Sequence, residues 1–217
     1  MEKETLKKPS LLGMFRSPSE QFERIRERPL IWGALAIVTV IYTIASIISA
    51  RSLTAEDIMG PGMTAEDAEM FLGFTRTSTA ISGVIGPIIS ILISTVIYLI
   101  IVKIARKNTT FRQLFSMNTY IMVIGAVGLL LNNMIQSITG GPQGIYITSL
   151  AGLFNSDSLV LATFEVFSIW QLILTAIGLH KVGGLSKGLA WALAIVFFVI
   201  SLGIALIGTA LEGLIGL

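Results

Sequence analysis

Cysteine is absent and histidine occurs once, as His180. Disulfides, thiolate nucleophiles and cysteine-ligated metal sites are therefore excluded, and a His-Glu-x-x-His zinc site needs a second histidine that the chain lacks. No glycine loop ending in Gly-Lys-Ser/Thr is present, which removes the phosphate cradle of a nucleotide-driven pump. Charge is scarce too: 13% of the 217 residues are Asp, Glu, Lys or Arg, where a soluble domain carries roughly 25%. Intramembrane aspartyl proteolysis needs two carboxylates, and only Glu165 lies well inside an apolar window, Glu212 falling near the end of the last one. His180, beside Lys181 at the end of its window, reads as an interfacial residue and not as the base of a serine protease. These absences argue against an enzyme, and no metal or organic cofactor is expected.

What the chain has is hydrocarbon: 53% of its residues are hydrophobic. Four uncharged windows, 29–50, 77–102, 113–156 and 188–211, exceed the roughly 20 residues needed to cross about 30 Å at 1.5 Å per residue. A fifth, 158–180, contains one charge, Glu165. The expected fold is an all-α integral membrane bundle of five transmembrane helices over about 30–50, 79–102, 118–138, 159–179 and 189–211, preceded by a basic segment, 1–29. The first window follows 28 strongly charged residues without a small-residue cleavage pattern, so it reads as a retained span and not as a signal peptide.

Lys and Arg sort by loop. Segments 1–28, 103–112 and 181–187 together hold 13, against 2 in segment 51–76 and none in 139–158 or after residue 211. This is the positive-inside pattern with a cytoplasmic N-terminus and an extracytoplasmic C-terminus. Trp32, Tyr98, Tyr120 and Trp191 fall near the expected inner helix ends, where amphipathic rings prefer to sit. The sequence pI near 9.0 is thereby read as a topology signal and not as a nucleic-acid footprint.

Residues 1–14 read as polar, basic and disordered. In Ser17-Pro18-Ser19-Glu20, Ser17 reads as a helix N-cap and Pro18 as the first helical position, with the helix ending before Pro29. Glu20/Arg24 and Glu23/Arg26 stand at stabilising spacings, while Phe15, Phe22 and Ile25 form a small apolar side. The segment is expected to be an interfacial amphipathic helix touching lipid, or alternatively a solvated charged helix. Thr-Ala-Glu-Asp occurs at 54–57 and again at 64–67, each copy a capped helix start with acids in its first turn. A divalent-cation site built from these acids is the competing reading. Thr109 or Thr110 is expected to cap a short helix to Met117, and Gly86-Pro87 to kink the second span.

In lipid, helices associate through small residues and polar bonds. Each expected span shows such a stripe: Ala36, Thr39, Thr43 and Ser46; Thr79, Gly83, Gly86, Ser90 and Ser94; Gly125, Gly128, Asn132 and Gln136; Glu165, Ser168 and Thr175; Ala190, Ala194, Ser201, Ala205 and Gly208. Glu165 lies about 9 Å along its span from the outer end, at ~1.5 Å per residue. An acid there costs about 2.5–3.5 kcal/mol on insertion scales unless it is protonated or hydrogen-bonded. It is expected to face the bundle and meet Asn132 or Gln136, with Ser168 beside it, as a polar clasp or a proton or substrate site.

Three stretches carry a family likeness. Phe15-Arg16-Ser17-Pro18-Ser19-Glu20-Gln21-Phe22 with Pro29, then Thr110-Phe111-Arg112-Gln113-Leu114-Phe115, then Glu165-Val166-Phe167-Ser168-Ile169-Trp170 running to Ile177-Gly178-Leu179, resemble the bacterial branch of the Yip (Ypt-interacting protein) membrane family. Members usually carry Asp where Glu165 stands. The resemblance implies five spans and a bacterial cell-membrane location. It also implies a partner among integral membrane proteins, since some bacterial relatives accompany ABC exporters and contribute to protection against toxic peptides, while eukaryotic ones are associated with Rab GTPases. The functional expectation is a non-enzymatic membrane adaptor whose partners are the lipid bilayer and other membrane proteins, possible exporter subunits or copies of itself. The alternative is a small transporter or lipid-handling protein using Glu165.

Overall fold

The computed structural model describes residues 7–60, 62–140 and 145–215, with side chains described through residue 208. Residues 1–6 of the basic segment, Pro61 and the side chain of Glu212 lie outside the described residues. The described residues are all-α, 78% of them helical. Helices α1 (Gly13–Arg16) and α2 (Pro18–Glu27) lead into α3 (Trp32–Ser52), α4 (Ala65–Ile104) and α5 (Phe111–Thr139). The short helices α6 (Leu150–Leu153) and α7 (Leu159–Thr163) precede α8 (Val166–Lys181) and α9 (Lys187–Ile215). Among the described residues four helices, α3, α4, α5 and α9, are long and apolar enough to cross a membrane.

The expected fourth span differs. In place of one helix over 159–179, α7 ends at Thr163, the chain breaks at Phe164 and Glu165, and α8 follows with 16 residues, about 24 Å at ~1.5 Å per residue. The apolar window is continuous, so hydropathy alone conceals the break. Two further boundaries change: α4 extends well before 79, and Thr110 caps not a short helix but the whole of α5, through reciprocal bonds with Gln113 at 2.9 and 3.3 Å. Helix α4 also runs through Pro87 without interruption.

The residues divide into two compact units. The first comprises the chain to Thr39, 86–125 and 170–196. Its core holds Met14, Phe22, Ile25, Leu114, Met117, Ile124, Leu174, Leu179 and Leu185. The lipid contact expected at Phe22 and Ile25 does not occur: both are fully buried, because Gly178 leaves room on α8 for Met117 and Phe22. Phe15 meets Trp170 edge-on at 5.4 Å. Nor are residues 7–14 loose, since Pro9 and Met14 are buried and the Ser10 amide donates to Gln21 at 2.9 Å. Ser17 occupies the N-cap position without a side-chain cap bond, accepting from the Gln21 amide instead. Glu23 pairs with Lys181 at 2.5 Å and not with Arg26, while Glu20 does pair with Arg24. His180 donates from Nδ1 to the Leu185 carbonyl at 2.8 Å, closing a turn that Gly184 makes possible with φ +70°.

The second unit comprises 40–85, 126–169 and the chain from Phe197. Here α3 and α4 approach at Gly83, where a Cβ would meet Ser46 at 2.6 Å and the Thr43 backbone at 3.0 Å. Asn133 donates to the Ala45 carbonyl at 3.0 Å, and Arg76 reaches the Leu53 carbonyl at the end of α3. The Thr-Ala-Glu-Asp copies share one device, with Asp57 and Asp67 each accepting from the hydroxyl and amide of Thr54 and Thr64. Only the second copy starts a long helix, the first making a 3-10 turn at Glu56–Ile58. The Thr64 hydroxyl and then its amide hold the Asp67 carboxyl below its ordinary value. A depressed acid of this kind supports the helix start above its unfolded pKa and releases it as pH falls through the folded one.

The small-residue stripes are only partly interior. Gly83, Gly128, Ala190 and Ala194 are buried, whereas Ala36, Ser90 and Ser201 are exposed, the last bonded to its own helix at Phe198. Gly83→Val should therefore lower the melting temperature in detergent, at a cost of about 1–3 kcal/mol for overpacking. Gly73→Ala, whose Cβ meets nothing within 4 Å, should raise it slightly through helix propensity, by roughly 0.5–1 kcal/mol.

Candidate functional site

The break before α8 gathers the polar residues of the second unit. Ending one helix and starting another inside an apolar window strands backbone amides and carbonyls that lipid cannot satisfy. Residues 148–150 supply partners for two of these groups. The Leu150 amide donates to the Phe164 carbonyl at 3.0 Å and the Val166 amide to the Thr148 carbonyl at 3.2 Å, so Ser149 and Glu165 face each other as an antiparallel bridge. Ser149 braces the turn, donating to the Tyr146 carbonyl at 2.6 Å and accepting from the Gly152 amide at 3.1 Å. A side chain at 152 would strike the Tyr146 carbonyl at 2.3 Å.

Glu165 is the N-cap of α8. Its Oε1 accepts from the Phe167 amide at 3.0 Å and the Thr148 hydroxyl at 2.6 Å. Its Oε2 accepts from the Ser168 amide at 2.7 Å and the Ser168 hydroxyl at 3.0 Å. The two amides are the second and third of the helix, the positions an N-cap acceptor serves, and the carboxylate stands at the favourable end of the helix dipole. Glu165 is buried, at 6% exposure.

Asn132 joins this cap through Thr148, whose hydroxyl lies 2.9 Å from Asn132 Oδ1. One hydroxyl carries one proton, so Thr148 cannot donate to both Asn132 and Glu165. Turning the Asn132 amide, whose O and N are assigned from the bonds they make, lets Nδ2 donate to Thr148 and Thr148 donate to Glu165. The resulting relay runs from α5 through the loop to α8. Gln136 lines a cavity of about 190 Å³ with Asn132, Thr139, Gly152 and Asn155. Gly128 receives Phe167, which a Cβ would meet at 2.5 Å.

Thr148, Ser149 and Asn133 belong to the polar framework, yet sequence reasoning passed over them. Thr148 and Ser149 sit between helices, outside any 3.6-residue stripe, and only the number of hydroxyls in the uncharged window 113–156 hints at them. Asn133 adjoins Asn132 but faces α3, and a second amide in so apolar a helix was the available signal. Among the described residues no three His, Asp or Glu gather as a metal site.

All four groups on Glu165 are donors, so an amide cannot replace it. Glu165→Gln turns one acceptor oxygen into an NH2 that faces donors and should cost about 1–3 kcal/mol. Thermal unfolding in detergent should show this loss, Glu165→Asp losing less because it keeps an acceptor-only cap. Thr148→Val should lie between the two.

Comparison with known proteins gives two findings. Residues 12–209 match the Yip1 domain family model. The chain is 38% identical over 215 residues to the "Membrane protein YknW" of Bacillus subtilis (strain 168), covering 96% of this chain and 91% of that protein. No solved structure matches.

Proposed function

The chain belongs to the Yip1 domain family of membrane proteins, and from that premise we propose that it is a non-enzymatic integral membrane adaptor for other membrane proteins. The observation that carries the reading is the saturation of Glu165: four internal donors occupy its two oxygens, so the deepest acid builds a helix start and offers no free lone pair to a substrate. Binding then falls to the helix surfaces and the basic segments. The family resemblance suggests the membrane domains of an ABC exporter as the partner.

The adaptor crosses the bilayer five times, with α7 and α8 together forming the fourth crossing. Supporting this are the apolar character of α8, the internal bonds that close the Phe164 carbonyl and the Val166 amide at its break, and the 13 to 2 partition of Lys and Arg. The N-terminus is cytoplasmic. A single cysteine introduced at Gly62 should react with an impermeant maleimide in intact cells, and one at Lys107 only after permeabilisation. The reverse pattern overturns the orientation.

A second reading has one observation in its favour. Broken helices whose ends meet inside the bilayer are a device of secondary transporters, and the break before α8 is of that kind. The two readings part experimentally. An adaptor should copurify from native membranes with exporter subunits in fixed ratio, and the purified chain should pass neither solute nor lipid in liposomes. Solute or lipid flux by the purified chain in liposomes would assign the transporter.

A further inference from the structure

Helix α5 carries Arg112, Ser116 and Tyr120 at four-residue spacing, so all three share one face. Two of them are committed. The Ser116 hydroxyl donates to the Leu30 carbonyl at 2.8 Å, and the Tyr120 hydroxyl to the Pro9 carbonyl at 3.3 Å. Arg112 is exposed and makes no hydrogen bond or ion pair among the described residues. The bonds at Leu30 and Pro9, with that from the Ser10 amide to Gln21 at 2.9 Å, fix the walls of a groove of about 780 Å³. Its lining is otherwise apolar, with Leu12, Ile31, Trp32, Gly33 and Ile37 prominent. Leu12 and Trp32 are 78% and 81% exposed, so the groove is open and its hydrocarbon uncovered.

A cation at the mouth of an apolar groove beside the first turn of a membrane-crossing helix is matched by one kind of molecule. We propose that the groove binds an anionic glycerophospholipid of the cytoplasmic leaflet, its phosphate on Arg112 and an acyl chain running past Trp32 and Gly33 to Ile37. The assignment of leaflet rests on the cytoplasmic N-terminus proposed above. Ile37 lies about 9 Å along the helix from Ile31, at ~1.5 Å per residue, so the lining descends from headgroup level into the acyl region. Charge complementarity selects the headgroup: a guanidinium bonds a phosphate in bidentate fashion, and basic pockets at the cytoplasmic ends of helices take anionic headgroups. The volume is in the range of pre-formed ligand sites, roughly 300–1,000 Å³. Gly33 lines the groove, and a Cβ there meets nothing within 4 Å.

The test is native mass spectrometry of the full chain in detergent, titrated separately with phosphatidylglycerol and phosphatidylcholine. Orientation in a cell does not enter this measurement, so lipid binding and topology can fail independently. Phosphatidylglycerol should be retained in preference to phosphatidylcholine. Arg112→Gln should weaken phosphatidylglycerol about tenfold, as for a lost charge-assisted bond, and leave phosphatidylcholine unchanged. Gly33→Phe should fill the groove and weaken both lipids without lowering the melting temperature. Equal retention of the two lipids, complete displacement by excess inorganic phosphate, or parental phosphatidylglycerol binding in both variants would overturn the proposal.

Discussion

Hydrocarbon offers no partner to a backbone amide or carbonyl, and each one left unsatisfied there costs several kcal/mol. Long helices meet this demand by themselves, and α3, α4, α5 and α9 need little else. The interruption at Phe164 and Glu165 does not meet it, and the surrounding structure follows from that fact. The carboxylate of Glu165 takes the Phe167 and Ser168 amides. Residues 148–150 take the Phe164 carbonyl and the Val166 amide. Those residues must in turn be held beside the break, so Ser149 locks its turn onto Tyr146 and Gly152, and Gly128 makes the space in which Phe167 lies. The hairpin before α8 is thus the complement of a broken helix.

The same accounting explains why α2 docks on protein. Helix α2 ends at Glu27, before Pro29, so the Arg26 carbonyl in its last turn has no helical amide, and the Leu30 carbonyl lies between α2 and α3. Gln113 and Ser116, both on α5, supply the donors at 2.7 and 2.8 Å. With its end fixed in this way, α2 turns Phe22 and Ile25 onto the helices of its own unit, a surface as apolar as lipid and already in place. Thr109 ties the α4–α5 loop to the turn before α9, donating toward the Val182 and Gly183 carbonyls at 3.1 Å.

Hydropathy and charge made the long helices legible because a membrane helix must be apolar for its whole length, and nothing else in the chain competes with that signal. The caps at Thr64 and Thr110 were equally legible, being local chemistry at fixed spacing. What escaped was the break. A carboxylate in an apolar window looks the same whether it sits mid-helix or begins a new one, and the distinction lies in Thr148 and Leu150, residues whose partners are distant in sequence. The lipid-facing role expected of Phe22 and Ile25 failed for a related reason: an apolar side on a short helix records that burial is required without recording what provides it. Glu165, Asn132 and Ser168 stood out by polarity alone, while Thr148, the link between the first two, carried no periodic mark.

The direction of the bonds at Glu165 bears on what the site can do. Thr148 has one proton and two acceptors within 2.9 Å, so the relay closes when the Asn132 amide presents Nδ2, and every group then donates toward the carboxylate. An ion or a substrate amine would have to displace one of those donors. Displacing an amide of α8 uncaps the helix within its apolar window, and displacing Thr148 frees the loop that closes the Phe164 carbonyl. Occupancy of the site by a ligand is therefore coupled to loss of the helix start, at a cost near that of several buried hydrogen bonds. A carrier would need to recover that cost on every cycle, whereas an adaptor holds the arrangement unchanged and presents its helix faces to a partner.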